Sequence, residues 1–167
     1  AARRWAKANI RTWEREIADG GLDAIVVAAS GCGTMVKDYG ALFVDQPAWA
    51  ARAARIADLC RDVSEVIAAL GLSGVRGGIA IAVAYQSPCS MQHGQKLDAQ
   101  PRDLLTKAGF DLRVAQDDHL CCGSAGTYSL LQPNLAEQLG TAKAAALEAS
   151  GAAIVATGNI GCLVQIS

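Results

Sequence analysis

Residues 152–162, with the sequence AAIVATGNIGC, join a short apolar run to a glycine-rich loop that ends in a cysteine. A continuous apolar run of this length, preceded by an amphipathic helical pattern, predicts a buried strand of a parallel sheet. The same pattern occurs near the start of the chain, where residues 24–32 read AIVVAASGC. The two segments predict an internal repeat in which a helix, a strand and a cysteine loop follow one another.

Helical and strand patterns alternate along the rest of the chain. Apolar runs predict strands over residues 22–29, 79–85, 112–116 and 152–157. Apolar residues spaced three and four apart predict a long helix over residues 47–70 and a later helix that begins at Pro133. The predicted apolar stripe of that later helix consists of Leu135, Leu139, Ala142 and Ala146. This alternation predicts an α/β fold, with a parallel sheet covered by helices on both faces.

The composition excludes several classes of function. The chain has 167 residues, and 15 Lys and Arg against 16 Asp and Glu give a net charge of −1. This balance provides no basic field for a nucleic acid or an anionic bilayer, and no apolar run is long enough to cross a membrane. Because no secretory signal opens the chain, we expect a reducing compartment. Because the chain begins and ends within patterned segments, we expect a fragment of a longer polypeptide.

The positions of the cysteines are the main functional signal. Five of the six follow predicted strands, namely Cys32, Cys89, Cys121, Cys122 and Cys162. Because parallel strands point the same way, the loops that follow them lie along one edge of the sheet, where such folds bind ligands. The sixth, Cys60, lies on the apolar stripe of the predicted helix over residues 47–70, and we expect it to be a small core residue.

Several kinds of chemistry use a group of thiols. Structural disulfides do not suit a reducing compartment, and the adjacent pair Cys121 and Cys122 does not have the spacing of a zinc knuckle. An iron–sulfur cluster fits best, because thiolates hold it and glycines let backbone N–H groups approach its sulfides. The glycines beside the cysteines are Gly31, Gly33, Gly123, Gly126, Gly158 and Gly161. A thiol–disulfide enzyme working through Cys121 and Cys122, and a structural zinc module, remain open alternatives.

Three segments together resemble the cysteine-rich CCG domain family, which is named for its Cys-Cys-Gly tripeptide. They are Cys89, the run Cys121-Cys122-Gly123 and the run Asn159-Ile160-Gly161-Cys162. Longer stretches are similar to the iron–sulfur subunits of glycolate oxidase (glycolate dehydrogenase). The most specific of these stretches is HLCCGSAGTYS, over residues 119–129.

The resemblance implies two repeats. Residues 76–167 would form a second CCG repeat, and residues 1–75 would contain the C-terminal part of a first repeat with a connecting helix. A [4Fe–4S] cluster would take its ligands from Cys89, Cys121, Cys122 and Cys162, and Cys32 would be the last metal-binding cysteine of the first repeat. Asn159 and Ala29 stand where the wider family has the first cysteine of a CxxC pair.

Several residues beside the cysteines are further candidates to surround the cluster without ligating it through sulfur. These are Gly123, Gly126, Asn159, Gly161, His93 and His119. The two histidines would ligate the cluster, donate a hydrogen bond or relay a proton. The alternative is that both are ordinary loop histidines.

The function implied by the resemblance is electron transfer, with no catalytic residue in this chain. A partner flavoprotein would oxidise glycolate at its FAD, and the clusters would pass the electrons towards a membrane quinone. The expected location is the cytoplasm, at the inner face of the plasma membrane through the complex.

Overall fold

The computed structural model describes residues 1–72 and 80–167. The chain divides into two compact units, Ala1–Val63 and Ser64–Ser167. The predicted boundary between residues 75 and 76 lies outside the described residues, so the division into repeats remains a prediction.

The first unit is built from helices around one short pair of strands. Its helices are α1 (Ala2–Asp19), α2 (Ser30–Lys37), a 3-10 turn (Tyr39–Phe43) and α3 (Pro47–Leu59), and its strands are β1 (Ile25–Val27) and β2 (Cys60–Asp62). The strands pair in parallel, with Ile25 opposite Cys60. Ile10 of α1, Phe43 and Ile56 of α3 are fully buried together with Cys60 and form the core of this unit.

The second unit is a three-stranded parallel sheet with helices between its strands. The strands are β3 (Ala82–Gln86), β4 (Asp111–Arg113) and β5 (Ile154–Thr157), in the order β4-β3-β5. The helices are α4 (Val63–Leu70), α5 (Ala99–Lys107), α6 (Tyr128–Leu131), α7 (Pro133–Ala149) and α8 (Ile160–Ile166). The first residue of α4, Val63, is the last residue of the first unit. Leu147 of α7 packs on Ala84 of the central strand.

The predicted fold class is confirmed: the chain is α/β, and every described strand pair is parallel. Within the described residues the strands form two sheets. The strand predicted over residues 79–85 corresponds to β3, and residue 79 lies outside the described residues. None of the described helices has the length and apolar character needed to cross a bilayer.

The helix predicted over residues 47–70 is wrong in its middle. The helix α3 ends at Leu59, residues Cys60–Asp62 form β2, and α4 begins at Val63. The residues from 60 to 62 continue the helical spacing in sequence, but their backbone groups pair with β1 instead. Tertiary pairing thus overrides the local helical pattern, and Cys60 is a buried strand residue and not a helical one.

The apolar stripe predicted for α7 is also wrong, by one residue. Leu135 and Leu139 are exposed, 48% and 37% respectively. The buried residues are Ala136, Gly140, Lys143 and Leu147. Ala136 and Gly140 are small enough for α8 to approach closely. The Gln165 amide of α8 donates to the Ala136 carbonyl at 2.9 Å, and a Cβ on Gly140 would lie 2.9 Å from that amide nitrogen.

We expect Cys60→Ala to lower the free energy of unfolding of the first unit by about 1–3 kcal/mol, since it leaves a small void in a closed core. Urea unfolding followed by tryptophan fluorescence measures this, because Trp5, Trp13 and Trp49 all lie in the first unit. Cys32→Ala is the matched control: Cys32 is exposed, so its loss should change stability by less than about 0.5 kcal/mol. Equal effects of the two substitutions would contradict the assignment of Cys60 to the core.

Candidate metal centre

The parallel sheet of the second unit brings three cysteine segments to one edge. Cys89 follows β3, Cys121 and Cys122 follow β4, and Cys162 follows β5. Because β3 pairs in parallel with both neighbours, the carboxyl ends of all three strands lie at the same edge. The four thiols are close enough for their charges and hydrogen bonds to act on one another.

Cys122 and Cys162 form a buried pair, exposed by only 1% and 4%. A hydrogen bond between the two sulfurs lowers the pKa of the Cys122 thiol to about 6. The backbone N–H of Ser124 also donates to the Cys122 sulfur. The same sulfur–sulfur bond, together with burial, raises the pKa of Cys162. In the metal-free chain Cys122 is therefore the thiolate of the pair and Cys162 the donor.

Cys121 and Cys89 form the more accessible half of the group. Burial raises the pKa of the Cys121 thiol, and the neighbouring Cys89 and Cys122 sulfurs raise it further. The backbone N–H of Gly123 donates to the Cys121 sulfur at 3.4 Å, which partly offsets this. Cys89 is half-buried and immediately precedes a turn of π-helix over Ser90–Gln95.

Two side chains hold the strand ends that precede these loops. Gln86 is the last residue of β3 and Thr157 the last of β5. The Thr157 hydroxyl donates to the Gln86 amide oxygen at 2.6 Å, and the Gln86 amide donates to the Ser87 carbonyl at 3.0 Å. A hydrogen bond therefore joins the ends of the two strands that lead to Cys89 and Cys162.

Asn159 acts on the backbone that carries Cys162. Its side-chain oxygen accepts from the Gly161 N–H at 3.0 Å and caps α8, and its amide lies 3.5 Å from the Ser90 hydroxyl. Asn159 thus connects the Cys162 helix with the segment that follows Cys89. Ala29 occupies the corresponding position before α2 and makes no side-chain cap.

Gly123 and Gly161 lie in closely packed positions beside the thiols. Gly123 has a φ of +88°, and a Cβ there would lie 2.5 Å from the Ala136 carbonyl oxygen. A Cβ on Gly161 would lie 2.7 Å from the Ser124 hydroxyl. Gly126 also has a positive φ, of +61°, but has open space around it.

Three other predicted site residues, His93, His119 and Cys32, are exposed, unlike the four thiols at the sheet edge. Within residues 1–72 and 80–167, no three His, Cys, Asp or Glu side chains converge closely enough to hold a single metal ion. Cys32 belongs to the first unit and is exposed on α2. Roles for these three residues remain predictions.

Sequence reasoning missed the charged residues that hold the loop before Cys121. Lys143 is 4% exposed, and its ammonium donates to the Asp117 and Asp118 carbonyls at 2.9 and 3.2 Å. Asp118 also pairs with Arg102. One signal was available: Lys143 lies at helical spacing from Ala136, Gly140 and Leu147, so it interrupts an otherwise apolar stripe.

Three relatives of known name match most of the chain. The glycolate oxidase iron–sulfur subunit of Escherichia coli is 38% identical over 97% of this chain and 40% of its own length. The probable glycolate oxidase iron–sulfur subunit of Bacillus subtilis is 30% identical over 96% of this chain and 36% of its own length. Lactate utilization protein A of Bacillus velezensis is 31% identical over 84% of this chain and 60% of its own length.

The chain thus spans about two fifths of the length of the first two relatives. The family match is located in the second unit, where the CCG cysteine-rich domain matches residues 83–167. This region is about half of the chain and contains all four thiols of the sheet edge. The resemblance seen in the sequence is confirmed, and the chain belongs to the CCG cysteine-rich domain family.

Proposed function

We propose that Cys89, Cys121, Cys122 and Cys162 hold an iron–sulfur cluster of the [4Fe–4S] type. The observation that carries this proposal is the convergence of four thiols at one sheet edge. An all-thiolate donor set of four is what such clusters take. Four thiolates that each bind a separate iron need not meet around one ion, which agrees with the lack of a single-ion site in the described residues.

The surroundings of the thiols fit this cofactor. Backbone N–H groups of Gly123 and Ser124 already donate to the Cys121 and Cys122 sulfurs, and hydrogen bonds to sulfur tune the potential of such centres. The hydrogen bond from Cys162 lowers the pKa of Cys122 to about 6, which favours the thiolate, the form that binds metal. When bound, a cluster of this type accepts and releases single electrons.

We further propose that the chain is the electron-transfer part of a flavin-linked glycolate, or other 2-hydroxy acid, dehydrogenase. The names of the E. coli and B. subtilis relatives support this proposal. In it a partner flavoprotein oxidises the hydroxy acid at FAD, and the chain passes the electrons towards a quinone at the inner face of the plasma membrane. Single-electron carriers suit this task because they link a two-electron flavin to a distant acceptor.

A second candidate, a thiol–disulfide enzyme, has one observation in its favour. The lowered pKa of Cys122 and its hydrogen bond with Cys162 are features of reactive dithiols. Cys122 is however only 1% exposed, whereas a thiol that attacks a disulfide must be accessible. The burial of Cys122 and the raised pKa of the more accessible Cys121 thiol favour ligands over a nucleophile.

We expect anaerobically purified protein to be brown and to contain iron and acid-labile sulfide in equal amounts. Cys122→Ser should lose most of the iron and the visible absorption, because it removes one of four ligands. Cys60→Ser is the matched control, since Cys60 is a core residue of the first unit, and it should keep its iron. A Cys122→Ser protein with full iron content would contradict the ligand assignment. Zinc without sulfide, or activity without any metal, would support a zinc module or a thiol enzyme instead.

We expect Gly123→Ala to reduce the cluster content strongly and Gly126→Ala to reduce it little. Both positions have a positive φ, but only at Gly123 would the new Cβ meet a backbone oxygen, at 2.5 Å. The loop would have to move, and with it the Gly123 N–H that donates to Cys121. Iron and sulfide assays on the two variants measure the difference. Equal cluster content in both would show that the close approach at Gly123 is not required.

A further inference from the structure

Lys143 is a buried cation of the second unit that contacts the loop leading to Cys121. Its side chain is 4% exposed, and lysine is rarely buried unless its ammonium is satisfied. Lys143 lines the same cavity of about 390 Å³ as Cys121. The cavity is otherwise mainly apolar, with Leu120, Leu139 and Ala146 in its wall. A positive charge in such surroundings is weakly screened.

The ammonium of Lys143 holds the backbone at the start of the cysteine loop. It donates to the carbonyl of Asp117 at 2.9 Å and to that of Asp118 at 3.2 Å. Asp117 has a φ of +51°, a left-handed conformation that is costly for a residue with a Cβ and persists where contacts fix it. The Leu120 N–H donates to the same Asp117 carbonyl at 2.9 Å, so the turn that leads into Cys121 depends on this oxygen.

A second anchor acts on the same segment from the side of β3. The Asp118 carboxylate pairs with Arg102, and both side chains are largely buried. The Arg102 guanidinium lies 5.4 Å from the centre of the Tyr85 ring, and the Tyr85 hydroxyl donates to the Met91 sulfur at 3.0 Å. Because Met91 belongs to the turn after Cys89, this chain of contacts connects the two cysteine segments.

We propose that Lys143 is a positioning residue that fixes the loop carrying Cys121 and Cys122 and keeps a positive charge in the cavity that Cys121 also lines. The first part concerns the metal-free chain, and the second part rests on the proposed function. The hydrogen bonds to two successive carbonyls fix the turn, and removing them frees the left-handed residue Asp117 to relax. The charge stabilises the more negative, reduced state of any centre that the thiols hold.

The test of the first part is hydrogen exchange of the metal-free protein, comparing Lys143→Met with Lys107→Met. Methionine keeps the length of the side chain and removes its charge and donors, and Lys107 is an exposed lysine of the same unit. We expect amides of residues 117–123 to exchange about tenfold faster, or more, in Lys143→Met, since charged hydrogen bonds are lost. Unchanged exchange overturns the positioning role. Should Lys143→Met not fold, Lys143→Gln retains one donor group without the charge and is measured in the same way.

The test of the second part uses the protein loaded with its cluster. We expect Lys143→Met and Lys143→Gln to have a more negative midpoint potential than the unsubstituted protein, and Lys107→Met to have the same potential. A lower iron content in the Lys143 variants also supports the proposal. Full iron content with an unchanged potential overturns the electrostatic role. If the unsubstituted protein binds no cluster, the proposed function fails, while the exchange measurement still decides the role of Lys143 in the loop.

Discussion

The parallel pairing of β3 with both β4 and β5 is the constraint on which the candidate centre depends. Cys89 and Cys162 are far apart in sequence, and only the shared direction of the strands brings their loops to one edge. The pairing is reinforced at that edge, where the Thr157 hydroxyl donates to the Gln86 amide. The sheet and its strand ends therefore hold the thiols. The helix α7 adds two contacts: Lys143 donates to the carbonyls before Cys121, and the Ala136 carbonyl accepts from Gln165 in the helix that contains Cys162.

The sequence was sufficient to predict the fold class and the sheet edge that Cys89, Cys121, Cys122 and Cys162 share. It also predicted Cys32 at that edge, whereas Cys32 follows β1, which belongs to a separate two-stranded sheet. The fold class follows from the alternation of helical and strand patterns, and the edge follows from the position of each of these cysteines after an apolar run. The interruption of the helix at Cys60–Asp62 could not be predicted in this way, because three residues with helical spacing carry no local signal for a strand. Their pairing with β1 is a tertiary contact, and such contacts override short local patterns.

The face of α7 shows a different limit. The helix contains two apolar stripes one residue apart, and spacing alone does not say which one is buried. The leucines of the predicted stripe gain more from burial per side chain, but the buried stripe has Ala136 and Gly140, whose small size admits Gln165 and Gly123 at close range. Close packing at Ala136 and Gly140 therefore determines which face of α7 is buried. Lys143 lies on that face, and a prediction based on hydrophobicity alone does not include it.

Both units contain a strand followed by a helix with a cysteine in its first turn, but the surroundings of the two cysteines differ. In each, two residues connect a parallel strand to a helix, and the second of them is the N-cap. A cysteine is the third residue of that helix, Cys32 in α2 and Cys162 in α8. Asn159 caps the second helix, whereas Ala29 leaves the first without a side-chain cap. Cys162 is buried against the Cys122 sulfur, whereas Cys32 is exposed.

The protonation of the buried pair links this arrangement to metal binding. In the metal-free chain the proton of Cys162 bridges it to the Cys122 sulfur, which lowers the pKa of one thiol and raises that of the other. Thiols bind metal only as thiolates, so binding must displace that proton and the proton of Cys121 as well. The sheet thus brings the thiols to one edge, and the loss of the proton shared by Cys122 and Cys162 is part of the cost of binding a metal there.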